Sequence, residues 1–172
     1  MMRSPQKKRS AAASGFTLIE LIVVIIVISV LGTLAADRLF YYRERAEKAM
    51  VDSTLELVKM GLRIRMAELV ASNRSTELPQ LARENPVRWL DEPPAGYAGE
   101  YTAPGKPGNW YYASQEKELI YLPSSTSYLD TGQNKKKELR FRVELRYQIE
   151  SAGQGRSIVG ITLASINGYK WF

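Results

Sequence analysis

The sequence predicts an α+β fold: a long N-terminal helix followed by a small antiparallel sheet of about four strands. Three observations carry this. Residues 16–36 are apolar or small apart from one acid, Glu20. Residues 37–72 continue with helical periodicity and without proline. Residues 138–149 alternate apolar and polar side chains strictly, the period of a strand with one dry and one wet face.

The chain has 172 residues and contains neither His nor Cys. That length suits one modest domain plus an appendage. Without His there is no Ser-His-Asp or Cys-His nucleophile system and no His-ligated metal. Without Cys there is no disulfide, zinc knuckle or iron–sulfur cluster. Acids such as Asp91, Glu92 and Asp130 have no recognisable base, nucleophile or oxyanion donor beside them, and no phosphate-binding loop is present. The sequence therefore argues against an enzyme. A hydrophobic share of 45% argues against disorder throughout.

The net charge of +6 is concentrated at the start. Residues 1–15 hold Arg3, Lys7, Lys8 and Arg9 and no acid; the remainder has 20 basic and 18 acidic residues. Most of the basic character belongs to a leader and is no nucleic-acid footprint. As a helix, the 21 residues from Phe16 to Ala36 rise roughly 30 Å, enough to cross a bilayer core. The cations just before them place the N-terminus in the cytoplasm and the chain after Asp37 on the far side. A cleaved secretory signal, with Thr33-Leu34-Ala35 as a small-x-small site, fits less well: a signal core is shorter and has no acid at its start. A plain signal anchor is the other reading.

Gly15-Phe16-Thr17-Leu18-Ile19-Glu20 follows the basic leader and opens the apolar helix. This resembles the class III signal of type IV pilins and type II secretion pseudopilins. The resemblance implies cytoplasmic-side cleavage after Gly15 by a prepilin peptidase, N-methylation of Phe16, and retention of the apolar helix. It implies storage in the inner membrane as a single-pass protein with a periplasmic C-terminal domain. The partners it implies are other pilin or pseudopilin subunits and assembly platform proteins. Glu20 fits that reading, because a carboxylate in the first turn of a bilayer helix is costly unless paired. Its implied partner is the new Phe16 amine of a neighbouring subunit, a pairing that sets axial register. An interfacial position near the helix N-terminus is the simpler account. Many major pilins carry a proline where this chain has Asp37, and a C-terminal disulfide loop, which this chain cannot form. Both departures weaken the case for a major pilin and leave a minor pilin or a pseudopilin, with Ser29 and Gly32 as the candidate soft points of the helix.

Between Asp37 and Ser72 two apolar stripes share the helix. One runs Leu39, Tyr42, Ala46, Ala49, Ser53, Leu57, Met60, Ile64, Ala67, Ala71; the other Val51, Leu55, Val58, Leu62, Met66, Leu69. The simplest expectation is one sheet wrapping both; the alternative gives part of one stripe to neighbouring subunits. Residues 73–109 are rich in Pro and Gly and predict a long connection, with a helical turn near 78–85, packed on the domain through Trp89, Leu90, Tyr97 and Tyr101. Residues 110–172 form the sheet region, with strands over 109–113, 119–122, 138–149 and 157–166.

No cofactor follows from the residues. Some major pseudopilins bind calcium through loops, and Asp130, Thr131 and Asn134 are the oxygen-bearing candidates. Calcium needs six to eight oxygens, so solvated loop residues are the better reading. Lys135-Lys136-Lys137 with Arg140, Arg142 and Arg146 forms a basic patch, but Glu138, Glu144 and Glu150 interrupt it. A mixed face argues against nucleic acid as a partner.

Overall fold

The computed structural model describes residues 15–132, 137–149 and 156–172. It divides into two units, Met1–Tyr41 and Tyr42–Phe172. A single long helix, α1 (Leu18–Ala71), contributes to both. In the first unit its apolar side chains lie exposed. In the second, Val51, Leu55, Val58, Leu62 and Leu69 are buried in the core. α1 ends in a Schellman arrangement. Asn73 turns left-handed at φ 58°, Arg74 N donates to Leu69 O at 2.7 Å, and Asn73 N donates to Val70 O at 3.1 Å.

The connection that follows is ordered by its own apolar residues. One helical turn, α2 (Leu78–Leu81), buries Leu78 and Leu81. A 3₁₀ turn over Pro86–Trp89 is capped by Asn85, whose Oδ1 accepts from Val87 N at 3.0 Å. The strands are β1 (Tyr97–Glu100), β2 (Asn109–Ala113), β3 (Glu118–Leu122), β4 (Leu129–Asp130), β5 (Leu139–Ile149), β6 (Arg156–Ser165) and β7 (Lys170–Trp171). Five form one sheet in the order β1-β2-β3-β5-β6, while β4 and β7 form a separate antiparallel pair. β1 runs parallel to β2, and every other pair is antiparallel. The fold is α+β and pilin-like, with a mixed, mostly antiparallel sheet.

The sheet has five strands where the sequence predicts about four. The added strand, β1, lies inside the predicted connection 73–109, and its Gly96 and Gly99 have positive φ. Alternation cannot reveal four residues with two glycines at or beside them.

One face of the sheet packs on α1 through Trp110, Leu119, Tyr121, Leu139, Phe141, Val143, Ile161 and Leu163. The other face is also covered. Tyr111 and Ile120 are buried there; Lys106 N donates to Tyr111 Oη at 2.7 Å, and the Tyr101 ring meets Tyr111 edge-on at 5.6 Å. A Cβ on Gly105 would sit 2.5 Å from Leu122 Cδ1, so this segment lies close on the sheet. The expected wet face of β5 is thus only partly wet. Arg140 bridges two buried carboxylates, donating to Glu118 at 2.9 Å and Glu138 at 3.1 Å. The dry face also ends early. A register shift after Arg146 leaves Tyr147 and Ile149 exposed, the latter at 71%, where sequence alternation predicts them dry.

A carboxylate closes the base of the domain. Glu44, 1% exposed, accepts from Ser125 Oγ at 2.6 Å, Ser127 N at 3.2 Å, Tyr128 N at 2.9 Å and Trp171 Nε1 at 3.0 Å. Glu47, one turn on, accepts from Tyr121 Oη at 2.8 Å and Ser124 N at 2.6 Å. Burial alone would raise the Glu44 pKa, but the bonds from Ser125, Tyr128, Trp171 and Ser127 together hold it below the usual 4.5. The unfolded chain therefore takes up this proton first as pH falls. The stability Glu44 supplies is complete above pH 4.5 and is lost as pH drops through the lower folded value. Glu44→Ala should cost about 2–4 kcal/mol, because buried donors lose their acceptor. Melts of the full-length chain in detergent at neutral pH check this; below pH 4.5 the gap between variant and wild type should narrow.

Candidate processing and assembly surface

Gly15, Phe16 and Thr17 precede the helix and are exposed. The Gly15–Phe16 bond therefore lies in non-helical chain, two residues before α1 begins. Thr17 caps the helix: its Oγ1 accepts from Glu20 N at 3.3 Å, while its carbonyl accepts from Leu21 N at 3.2 Å. Thr17-x-x-Glu20 has the spacing of a capping box. Glu20 thus stands at the third helical position, where free N–H groups and the positive end of the helix dipole favour a carboxylate. This cap was legible in the Thr-x-x-Glu spacing, a signal the sequence reading of Glu20 passed over.

α1 runs unbroken through Ser29, Gly32 and Asp37. Ser29 Oγ donates to Ile25 O at 2.7 Å, and Thr33 Oγ1 to Val30 O at 2.8 Å. Both hydroxyls are satisfied within the helix, as a bilayer requires. The helix is long and apolar enough to cross a membrane, by length and composition.

Only one of the two stripes on residues 42–71 meets the sheet. Val51, Leu55, Val58 and Leu62 are buried, but Tyr42, Leu57, Met60 and Ile64 remain more than half exposed. The expectation that one sheet wraps both stripes is corrected here. The sheet lies on one side of the helix, and the helical period turns the second stripe away from it. Beside that stripe, Trp89, Leu90 and Pro94 complete an open groove of about 440 Å³. The Arg65 guanidinium lies over the Trp89 ring at 4.5 Å. Gly61 permits this wall, since a Cβ there would sit 2.8 Å from Trp89 O.

The remaining candidates are not brought together. Asp130 is exposed and its Oδ1 accepts from Gly132 N at 2.8 Å, a local turn; Thr131 is buried. Asn134 lies outside the described residues, as do Lys135, Lys136 and Glu150. Among the described residues no three or more carboxylates gather into a metal-binding group. Of the basic patch, Arg140 and Arg142 are both paired with Glu118, the latter at 2.6 Å, and Lys137 Nζ donates to Thr126 O at 2.9 Å.

Residues 11–36 match the family model described as the prokaryotic N-terminal methylation motif. The chain carries that motif. It is typical of type IV pilins and type II secretion pseudopilins, which are generally not enzymatic. Comparison with curated proteins gives no match, and neither does comparison with solved structures. The motif covers the four residues before Gly15, the exposed Gly15–Phe16 junction and the apolar start of α1. An N-terminal apolar helix with this motif fits anchoring in the inner membrane before assembly.

Gly61→Ala should destabilise the second unit by about 1–3 kcal/mol, because the nearest obstacle is a backbone carbonyl that cannot swing aside. Denaturant titration checks this, and the intrinsic Trp fluorescence should shift with it as Trp89 is displaced.

Proposed function

We propose that this protein is a minor subunit of a type IV pilus or type II secretion pseudopilus, stored in the inner membrane and assembled by helix packing. The observation that carries the reading is the methylation motif at residues 11–36, opening a helix whose second apolar stripe the domain leaves uncovered. Prepilin peptidase cuts after Gly15 and Phe16 is methylated. Other subunits then cover the free stripe, and assembly platform proteins drive their entry. Glu20 pairs with the Phe16 amine of a neighbour and sets register. No enzymatic step is part of this role.

Intact mass of the protein made with its peptidase should place methylated Phe16 first. Gly15→Leu should leave an uncut precursor, still anchored by residues 16–36. A mature chain beginning at Met1 or Ala36 would replace this reading with an anchored or secreted protein that never polymerises.

Glu20→Ala should leave protein level and membrane insertion intact, since removing a charge eases insertion. Crosslinks to neighbouring subunits should be lost. Glu20→Asp should fall between, keeping charge with a shorter reach. Wild-type crosslinking in Glu20→Ala would reduce Glu20 to a helix cap.

A further inference from the structure

The two edges of the five-stranded sheet differ. β1 is four residues long and carries a register irregularity, and its Gly99 has positive φ. β6 is ten residues long. Its single charged residue is Arg156 at the start, and it has no Lys and no Pro. Beyond the bulge near Val159, the stretch Gly160-Ile161-Thr162-Leu163-Ala164-Ser165 runs in regular register against β5. Among the described residues no strand is paired to its other side. Edges of this length usually carry lysine, proline or an inward charge that blocks pairing, and this one does not.

Topology fixes what can lie against it. β6 is antiparallel to β5, β5 to β3 and β3 to β2, whereas β1 is parallel to β2. β6 and β1 therefore run in opposite directions. A second copy set beside the first, with residues 42–71 of both helices pointing the same way, offers its β1 to β6 in antiparallel orientation. Two β6 strands joined in one sheet would instead turn those helices against each other if antiparallel, or put them on opposite faces of the sheet if parallel. Charge agrees with the first arrangement. Residues 89–101, which lead into and through β1, hold Asp91, Glu92 and Glu100 and no cation. Residues 156–172 hold Arg156 and Lys170 and no acid.

We infer that β6 of one subunit takes β1 of a second copy as a sixth strand, joining the sheets side by side in a heterologous, head-to-tail contact. This inference rests on the assembly reading above and requires that copies of this chain, though a minor subunit, stand next to one another in the filament. A four-residue ladder is too short to hold free subunits together. It forms where helix packing has already raised the effective concentration of the two edges, and it then fixes the rotation of each domain against the next.

The absence of Cys makes the test direct. Ala98 is exposed on β1; Thr162 and Ala164 lie on the outer face of β6, opposite Glu144 and Arg142. The full-length chain is made with its peptidase and assembly machinery as Ala98→Cys, as Thr162→Cys, and as the double variant, then treated with a short thiol crosslinker. Ala98→Cys with Ala164→Cys serves as a second pair should Thr162→Cys disturb the fold. The double variants should give a ladder of dimer, trimer and higher species. Single variants should give none, and a mixture of the two singles should stop at dimer. Crosslinking by Thr162→Cys alone would mean that β6 meets β6 and would overturn the proposal. So would double variants that enter filaments with methylated Phe16 yet give no ladder, an outcome that leaves the assembly reading standing. Wild-type protein that is never incorporated would remove the assembly reading, and this inference with it.

Discussion

The carboxylate of Glu44 is the constraint on which the second unit turns. It is buried, and four donors from two separate pieces of chain converge on it: Ser125 Oγ and the backbone at Ser127 and Tyr128 from one loop, and the indole of Trp171. Hydrogen bonds to a charged acceptor are roughly twice as strong as neutral ones, and here they add to the burial of Leu129 and Trp171 from the short β4–β7 pair. Glu47 repeats the device one turn away. With these two positions pinned to the loop after β3, the helix cannot rotate about its axis. The 3.6-residue period then directs Val51, Leu55, Val58 and Leu62 to the sheet and Leu57, Met60 and Ile64 to the outside. The uncovered stripe follows from a polar anchor as much as from the apolar pattern.

The sheet is enclosed from both sides, which limits where this unit can meet anything else. α1 takes one face, and the segment from Tyr101 to Gly108 takes much of the other. Under that segment Tyr101 Oη donates to Glu138 at 3.3 Å, while Arg140 ties Glu138 to Glu118. Arg140 and Arg142, which look available in the sequence, are thereby paired within the domain. Among the described residues, the second helix stripe with its Trp89 groove and the sheet edges remain open.

Strong periodicity made much of this legible. The helix through Ala71, the antiparallel β5–β6 pair and the β2–β3 pair all stand close to where periodicity places them. The motif at Gly15 to Glu20 was readable because its order of residues is specific. The rest was hidden for identifiable reasons. β1 is short and glycine-interrupted. β4 and β7 have two residues each, too few for any period to register. Nothing in the spacing of Glu44 marks it as buried, because its donors come from residues more than 80 positions away. Which stripe faces the sheet was undecidable from the helix alone, since both are apolar. The exposure of Tyr147 and Ile149 depends on a register shift, and that is a property of two strands rather than one.

The same logic bears on the first turn of α1. Cleavage after Gly15, as proposed, would leave a charged amine at Phe16, beside the end of the helix where a positive charge is least welcome. Thr17 satisfies one free N–H by capping Glu20, but a hydroxyl does nothing to offset the new charge. A carboxylate in that turn does, within the same chain and before any neighbour arrives. Glu20 would then have two successive partners: first the helix end and amine of its own subunit, later the amine of the next. Such an intramolecular role would make the residue tolerable in a bilayer before assembly, since a paired charge near the interface is far less costly than an isolated one. It also orders the events. On the proposed reading no amine exists at Phe16 before cleavage, so the pairing with Glu20 would be made by the cut itself.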